Sequence, residues 1–130
     1  NEPLYPFGYG LSYTTFTYGD MQLNTNLLEA SDSLQVSALV SNTGKLDGEE
    51  VVQLYIQDLV GTVTRPVKEL KGYKKVFLRS GESQTITFTI TEEDLRFYNI
   101  DMEYVSEPGD FKVYIGANSR DVMEAGFSLD

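Results

Sequence analysis

Apolar and polar residues alternate along much of the chain, with turn-forming residues between the alternating segments. In 83–90, isoleucine and phenylalanine at every second position alternate with threonine. A period of two places one set of side chains on each face of an extended strand, whereas a helix needs a period near 3.6. Because the residues after Gln84 in this segment are all β-branched or aromatic, it is the strongest strand prediction in the chain.

The same alternation predicts strands in 34–41, 52–57 and 111–116. The first of these should end near Asn42, because Asn42-Thr43-Gly44 and Asp47-Gly48 tolerate the positive φ angles of turns. The second should pair with the first or face it across the core. Weaker strand predictions are 16–27, 69–78, 97–104 and 125–129.

Two local features refine this picture. Gly72 predicts a bulge or bend within 69–78, and the lysines that follow it are typical of an edge strand protected from unwanted pairing. Thr91 to Asp94 resembles a capping box and predicts one turn of helix. About seven short strands with turns between them predict an all-β fold, a two-sheet β-sandwich of the immunoglobulin or fibronectin type III kind.

The first fifteen residues differ from the rest of the chain, since proline and glycine interrupt a series of aromatic side chains. Neither a helix nor a strand fits this composition. We interpret 1–15 as an interdomain linker segment and 16–130 as the β-sandwich. The linker's apolar side chains need a surface to pack against, either another domain or their own sandwich. The predicted contact residues are Tyr5, Phe7, Tyr9, Leu11 and Tyr13.

Composition removes many function classes. With 130 residues and neither histidine nor cysteine, the chain cannot form a Ser-His-Asp or Cys-His nucleophilic site, a structural zinc site or a disulfide. A formal net charge of -10 argues against nucleic acid and anionic membrane surfaces as partners. No apolar run approaches the roughly 20 residues of a membrane span.

Carboxylates are the strong acid-base groups that remain, as in glycoside hydrolysis. Glu49 with Glu50, the acidic group 92–94, and Asp101 with Glu103 are candidates, but their spacing does not require catalysis, and we interpret them as solvated surface groups. A calcium site is a weaker possibility, although the EF-hand pattern is missing. Its candidate ligands are Asp32, Asn42, Asp47 and Asp58. We predict no catalytic residue, metal or cofactor in this chain.

Two surface groups have competing interpretations. Tyr55 and Tyr114 should lie on an outer sheet face, where they could stack against an oligosaccharide or be covered by a neighbouring strand or domain. The basic residues between 68 and 75 favour a solubilising strand edge over an anion site. They are Lys68, Lys71, Lys74 and Lys75.

Four strings, in order, resemble one known domain. They are PLYPFGYGLSYTTF (3–16), VSNTGKLDGEEVVQLYIQD (40–58), RPVKELKGYKKVFLRSGES (65–83) and EPGDFKVYIGANSRD (107–121). Together they resemble the C-terminal fibronectin type III-like domain of glycoside hydrolase family 3 enzymes, including the linker that leads into it. The resemblance covers most of the chain and agrees with the sandwich that the alternation predicts.

The resemblance implies a parent enzyme of the β-glucosidase or β-xylosidase type, a retaining hydrolase with an Asp nucleophile and a Glu acid-base. Those residues lie upstream in the family, and no motif in this sequence matches theirs. The resemblance therefore implies an accessory domain that is not an enzyme by itself, with the catalytic domains of the same polypeptide as partners. The family favours a bacterial periplasmic or secreted location. Alternatives are an oligosaccharide-binding or protein-interaction sandwich.

Overall fold

The computed structural model describes residues 14–29, 31–59, 68–98 and 101–130. Ten strands and one 3₁₀ turn, Glu92–Leu95, make up the regular structure of this part of the chain. Seven strands have eight or more residues, as the alternation predicts. The strands are β1 (Phe16–Leu23), β2 (Leu27–Leu28), β3 (Ser33–Asn42), β4 (Gly48–Asp58), β5 (Glu69–Leu78), β6 (Ser83–Thr91), β7 (Phe97–Tyr98), β8 (Tyr104–Val105), β9 (Gly109–Gly116) and β10 (Val122–Leu129).

Two sheets form the sandwich. The three-stranded sheet has the order β1-β3-β6 and the five-stranded sheet the order β2-β10-β9-β4-β5, while β7 and β8 form a separate two-stranded pair. All pairings are antiparallel except that of β2 with β10. Since β3 and β4 belong to different sheets, the second predicted strand faces the first across the core and does not pair with it. The all-β sandwich prediction is confirmed.

The core follows from the alternation. Along β3, every second residue from Leu34 to Val40 is fully buried, and β6 repeats the pattern at Ile86, Phe88 and Ile90. The five-stranded sheet contributes its own inward set, in which the rings of Phe111 and Phe127 stack with their centroids 5.5 Å apart. Burial of these faces removes apolar area from water and stabilises the fold.

β5 confirms the edge-strand and bulge predictions. It lies at the end of the five-stranded sheet, with β4 as its neighbour in that sheet. Leu54 pairs with Gly72, but the next residue, Tyr55, pairs with Leu70, so Lys71 is the extra residue of a bulge. Because of this extra residue, the alternation of inward and outward side chains along β5 shifts by one position between Leu70 and Gly72.

The weaker predictions have mixed outcomes. The single helical turn forms, and the Asp94 carboxylate accepts a hydrogen bond from the Thr91 N–H at 2.9 Å. The segment 97–104 is not one continuous strand: it contains β7 and the first residue of β8, with residues 99 and 100 outside the described part. None of the helical structure in the described residues has the length and apolarity that crossing a membrane requires.

Candidate interdomain surface

The five predicted contact residues lie outside the described part of the chain. They are Tyr5, Phe7, Tyr9, Leu11 and Tyr13. The structure does describe the place where this segment joins the sandwich, at Thr14 and Thr15 just before β1. We call the groups that meet there, residues 14–15, 42–47 and 78–82, the N-terminal corner.

Asn42 is the centre of the N-terminal corner. Its side chain is 1% exposed, yet it uses every hydrogen-bonding position that an amide has. The Oδ1 atom accepts from Thr14 Oγ1 at 2.8 Å and from the Gly44 N–H at 3.0 Å. The Nδ2 group donates to the carbonyls of Leu46 and Leu78, both at 2.9 Å. One buried amide thus joins the incoming chain, the turn after β3 and the end of β5.

Further hydrogen bonds close the N-terminal corner. The Thr43 N–H donates to the Thr15 carbonyl at 2.9 Å, and the two threonine hydroxyls lie 3.1 Å apart. Ser80 Oγ donates to the Gly44 carbonyl at 2.6 Å. A Cβ atom on Gly44 would lie 1.8 Å from Thr14 Oγ1 and 2.8 Å from the Thr15 nitrogen. Only glycine therefore allows the incoming chain to approach this closely.

Glu50 lies at the same end of the sandwich and points inward. It shares its side of β4 with the buried Val52, and its Oε2 accepts a hydrogen bond from the Tyr18 hydroxyl on the opposite sheet at 2.9 Å. Partial burial raises the pKa of Glu50, although the bonds from Tyr18 and Val51 act in the other direction. The pKa of Tyr18 is also raised, first by burial and then by the nearby Glu50 charge.

This geometry corrects one prediction. Glu49 and Glu50 do take opposite sides of β4, but Glu50 is not a solvated surface carboxylate. The physical reason is parity: Glu50 is two residues before a core position, so the strand turns it toward the other sheet. The alternation already contained this signal.

Of the two interpretations of Tyr55 and Tyr114, the structure does not favour the aromatic stacking platform. Tyr55 and Tyr114 are direct partners on β4 and β9, but Tyr114 is only 4% exposed and Tyr55 is half-buried. The Lys68 ammonium lies 4.5 Å from the centroid of the Tyr114 ring and donates to the Ser119 carbonyl at 2.9 Å. Tyr114 is thus covered, which is the second of its two interpretations.

The remaining lysines support the edge-strand interpretation. Lys74 donates to the Thr87 carbonyl, and its ammonium lies 5.3 Å from the centroid of the Phe88 ring. Lys71 pairs with Glu69 at 3.3 Å. Lys71 and Lys74 thus make their contacts within the sandwich.

Among the other acidic candidates, Glu92 has structural partners. Glu92 forms an ion pair with Arg96 at 2.9 Å and also accepts from Ser106. The pKa of Glu92 is lowered, first by the Arg96 hydrogen bond and then by that of Ser106, so Glu92 stays ionised. An ionised, paired carboxylate is a poor general acid.

The four calcium candidates separate into two pairs. Asn42 and Asp47 lie in the N-terminal corner, where Asp47 Oδ1 accepts from the Ser80 N–H at 2.9 Å. Asp32 precedes β3 and Asp58 ends β4, so both lie at the opposite end of the sandwich. Within the described residues, no group of three or more acidic side chains is arranged to hold a metal ion.

Comparison with known proteins agrees with this architecture. The family model of the fibronectin type III-like domain matches residues 50–119. The chain belongs to this family. The match includes most of β4 and all of β5, β6 and β9, which supply strands to both sheets.

The relatives of this fibronectin type III-like domain are much longer enzymes. It is 47% identical to a periplasmic β-glucosidase of Salmonella typhimurium over 99% of this chain and 17% of the enzyme. It is 46% identical to a putative β-xylosidase of Formosa agariphila over 98% of this chain and 17% of the enzyme. The chain therefore spans about a sixth of the length of these relatives.

A solved structure gives the same result. A crystal structure of a β-glucosidase from Listeria innocua superimposes on this domain with a TM-score of 0.84 and 43% identity, over 99% of this chain and 18% of that one. The resemblance to a domain of family 3 glycoside hydrolases is confirmed. Since the glucosidase and xylosidase relatives are about equally similar, identity does not assign a sugar to this domain.

Proposed function

We propose that this chain is a non-catalytic accessory domain of a family 3 β-glycosidase, and that it stabilises and orients the catalytic domains of the same polypeptide. Its first fifteen residues act as the linker, with 16–130 as the sandwich. The observation that carries the proposal is the N-terminal corner. A flexible tether needs no fixed geometry, whereas here Asn42 and Gly44 hold the last residues of the linker against the sandwich.

The orienting role follows from where this fixation occurs. Thr14 donates a hydrogen bond to Asn42 and Thr15 accepts one from Thr43, so the direction in which the chain leaves the sandwich is set by the fold. Tyr5, Phe7, Tyr9, Leu11 and Tyr13 would then contact the catalytic body. Each buried Å² of apolar area would contribute roughly 25 cal/mol. Rigid placement matters because a small displacement of a catalytic group slows the reaction strongly.

Relatives and chemistry support the non-catalytic assignment. The matched enzymes are glycosidases of which this chain is a small part. In the described residues, the partly buried Glu50 is paired with Tyr18 and the ionised Glu92 with Arg96.

The first test is the mass of the natural polypeptide, measured with an antibody raised against this chain. A species several-fold heavier than 14.6 kDa is expected, and a species of 14.6 kDa would overturn the proposal. In the heavier polypeptide, Thr14→Val removes one hydroxyl from the N-terminal corner without changing side-chain shape. We expect a lower Tm and a few-fold lower kcat/KM on an aryl β-glycoside.

Thr25→Val is the matched control, because Thr25 lies in the loop between β1 and β2 and its hydroxyl bonds only locally, to Leu27. It should leave Tm and kcat/KM of the natural polypeptide unchanged. Deletion of the whole sandwich should lower both strongly. Unchanged stability and kinetics after that deletion would also overturn the proposal.

A further inference from the structure

The outer face of β5 carries a line of exposed apolar side chains, which we call the β5 stripe: Leu70, Tyr73 and Phe77. Their exposed fractions are 53%, 61% and 59%. Tyr73 pairs with Gln53 and Phe77 with Glu49, both of which are on the outer side of β4.

The bulge brings the third member onto this face. Leu70 pairs with Tyr55, an outer residue of β4, because Lys71 is inserted between Leu70 and Gly72. Without the inserted residue, Leu70 would have the parity of the core positions Val76 and Leu78. The stripe therefore extends along most of β5.

The β5 stripe is electrically neutral in a strongly acidic chain. Lys75 lies between Tyr73 and Phe77 and pairs with Val51, while Glu49 lies opposite Phe77. Lys75 and Glu49 thus balance each other, and Glu69 and Lys71 on either side of Leu70 form an ion pair, although the chain carries a net charge of -10. A neutral, apolar line on an acidic surface is typical of a contact surface rather than of a solvated face.

The stripe is continuous with the N-terminal corner. Phe77 directly precedes Leu78, whose carbonyl accepts a hydrogen bond from Asn42, and Asn42 in turn holds Thr14. Leu46, another member of this corner, is 55% exposed. The polypeptide that precedes Thr14 therefore joins the sandwich beside the Phe77 end of the stripe.

A second copy of the chain fits the stripe poorly. Three side chains that are little more than half exposed offer on the order of 350 Å², whereas a stable interface needs roughly 800 Å² from each partner. The lysines of β5 also oppose edge-to-edge strand pairing between copies. A tethered partner needs less area, since a short linker gives an effective concentration of about millimolar.

We infer that the β5 stripe packs against an apolar surface of the catalytic domain that the linker, residues 1–15, connects to this sandwich in the same polypeptide. This inference rests on the proposed function and adds a second contact to the linker. A second contact in addition to the linker would prevent rotation of the sandwich about the linker.

Tyrosine labelling read by mass spectrometry tests the inference. Tyr73 should label readily in the 130-residue chain and at least five-fold more slowly in the natural polypeptide. Tyr104, which is 50% exposed and belongs to β8, outside the five-stranded sheet, is the reference and should label at the same rate in both. Equal labelling of Tyr73 in the two proteins would overturn the inference.

Substitution gives an independent readout. Tyr73→Ser and Phe77→Ser together should lower the Tm of the natural polypeptide while leaving that of the 130-residue chain nearly unchanged. If the 130-residue chain instead forms a dimer at micromolar concentration and the two substitutions abolish it, the partner is a second copy and the inference is wrong.

Failure of the proposed function and failure of this inference give different experimental results. A natural polypeptide no longer than this chain overturns the proposed function. A longer polypeptide in which Tyr73 labels freely overturns only the assignment of the β5 stripe.

Discussion

Asn42 shows how one polar side chain organises a corner of this sandwich. Buried polar groups are destabilising unless they are hydrogen-bonded, and Asn42 satisfies both its donors and both its acceptor positions. No other side chain of similar size offers two donors and an acceptor in this arrangement. The residue is thus required by geometry and not by hydrophobicity.

Asn42→Ala should therefore be among the more destabilising substitutions. It leaves the buried Leu78 carbonyl and the Gly44 N–H without their partner, and we expect a loss of about 3 kcal/mol in the free energy of unfolding. Asn42→Asp should cost more, because it directs a carboxylate oxygen at two carbonyl oxygens. Urea denaturation measures both.

Asn24→Ala is the control for Asn42. Asn24 accepts one hydrogen bond, from the Gln35 N–H at 2.8 Å, at an exposed position. Its loss should cost about 1 kcal/mol. Equal effects at positions 24 and 42 would contradict the role assigned to the buried amide.

Glu50 makes the stability depend on pH. Its raised pKa means that the folded chain holds this proton to higher pH than the unfolded chain does. Between the two pKa values the folded state binds more protons, so this group's contribution to stability is present below the unfolded value of roughly 4.3 and is lost as pH rises through the folded value.

Glu50→Gln should remove that dependence. The amide oxygen can still accept the Tyr18 hydroxyl, but no charge is buried, so the variant should gain stability relative to the original chain as pH rises from about 4 to 7. Thermal unfolding at a series of pH values measures this difference in stability between the variant and the original chain, which we call the gap. Glu49→Gln removes the same charge from the outer side of the strand, and a gap of equal size for both variants would show that burial of Glu50 is not the cause.

The N-terminal corner depends on a close approach between two elements, the chain before β1 and the turn after β3. Gly44→Ala places a methyl group where the Thr14 hydroxyl lies, so the incoming chain must shift. We expect a loss of about 2 kcal/mol and broken hydrogen bonds at Thr14 and Thr15. Amide hydrogen exchange of Thr43, whose N–H donates to Thr15, measures this locally.

Gly19→Ala is the matched change within β1. A Cβ atom there would meet nothing within 4 Å. It should change the free energy of unfolding by less than about 1 kcal/mol and leave the exchange of Thr43 unaffected. Faster exchange of Thr43 in both variants would argue against a specific role for Gly44.

Alternation predicted the strands well because each strand has one buried face. It identified β6 and the bounds of β5, and it predicted the bulge from Gly72. Alternation does not predict contacts between elements that are distant in sequence. That Lys68 covers Tyr114, or that Tyr18 bonds Glu50 across 32 positions, depends on how strands far apart in sequence come together. The prediction that Glu50 is a solvated surface group was wrong although parity carried the signal of its inward position, and parity gives no information on which partner it would meet.

Across the whole molecule, charge opposes compaction. The chain has twenty acidic residues and ten basic ones, which gives the net charge of -10. Favourable pairs exist, such as Lys112 with Glu124 at 2.8 Å, but exposed pairs of this kind contribute little. Repulsion among the excess carboxylates should therefore dominate the response of the folded state to salt.

Added sodium chloride should consequently stabilise the domain. The screening length falls from about 30 Å at 0.01 M to about 8 Å at 0.15 M, which weakens repulsion across a molecule of this size. We expect a gain of about 1 kcal/mol, or ~4 °C in Tm. Glu29→Lys at an exposed position changes the net charge from -10 to -8 and should reduce the salt effect. A Tm that falls with salt would show that the ion pairs outweigh the repulsion, and that the acidic surface does not limit the stability of this sandwich.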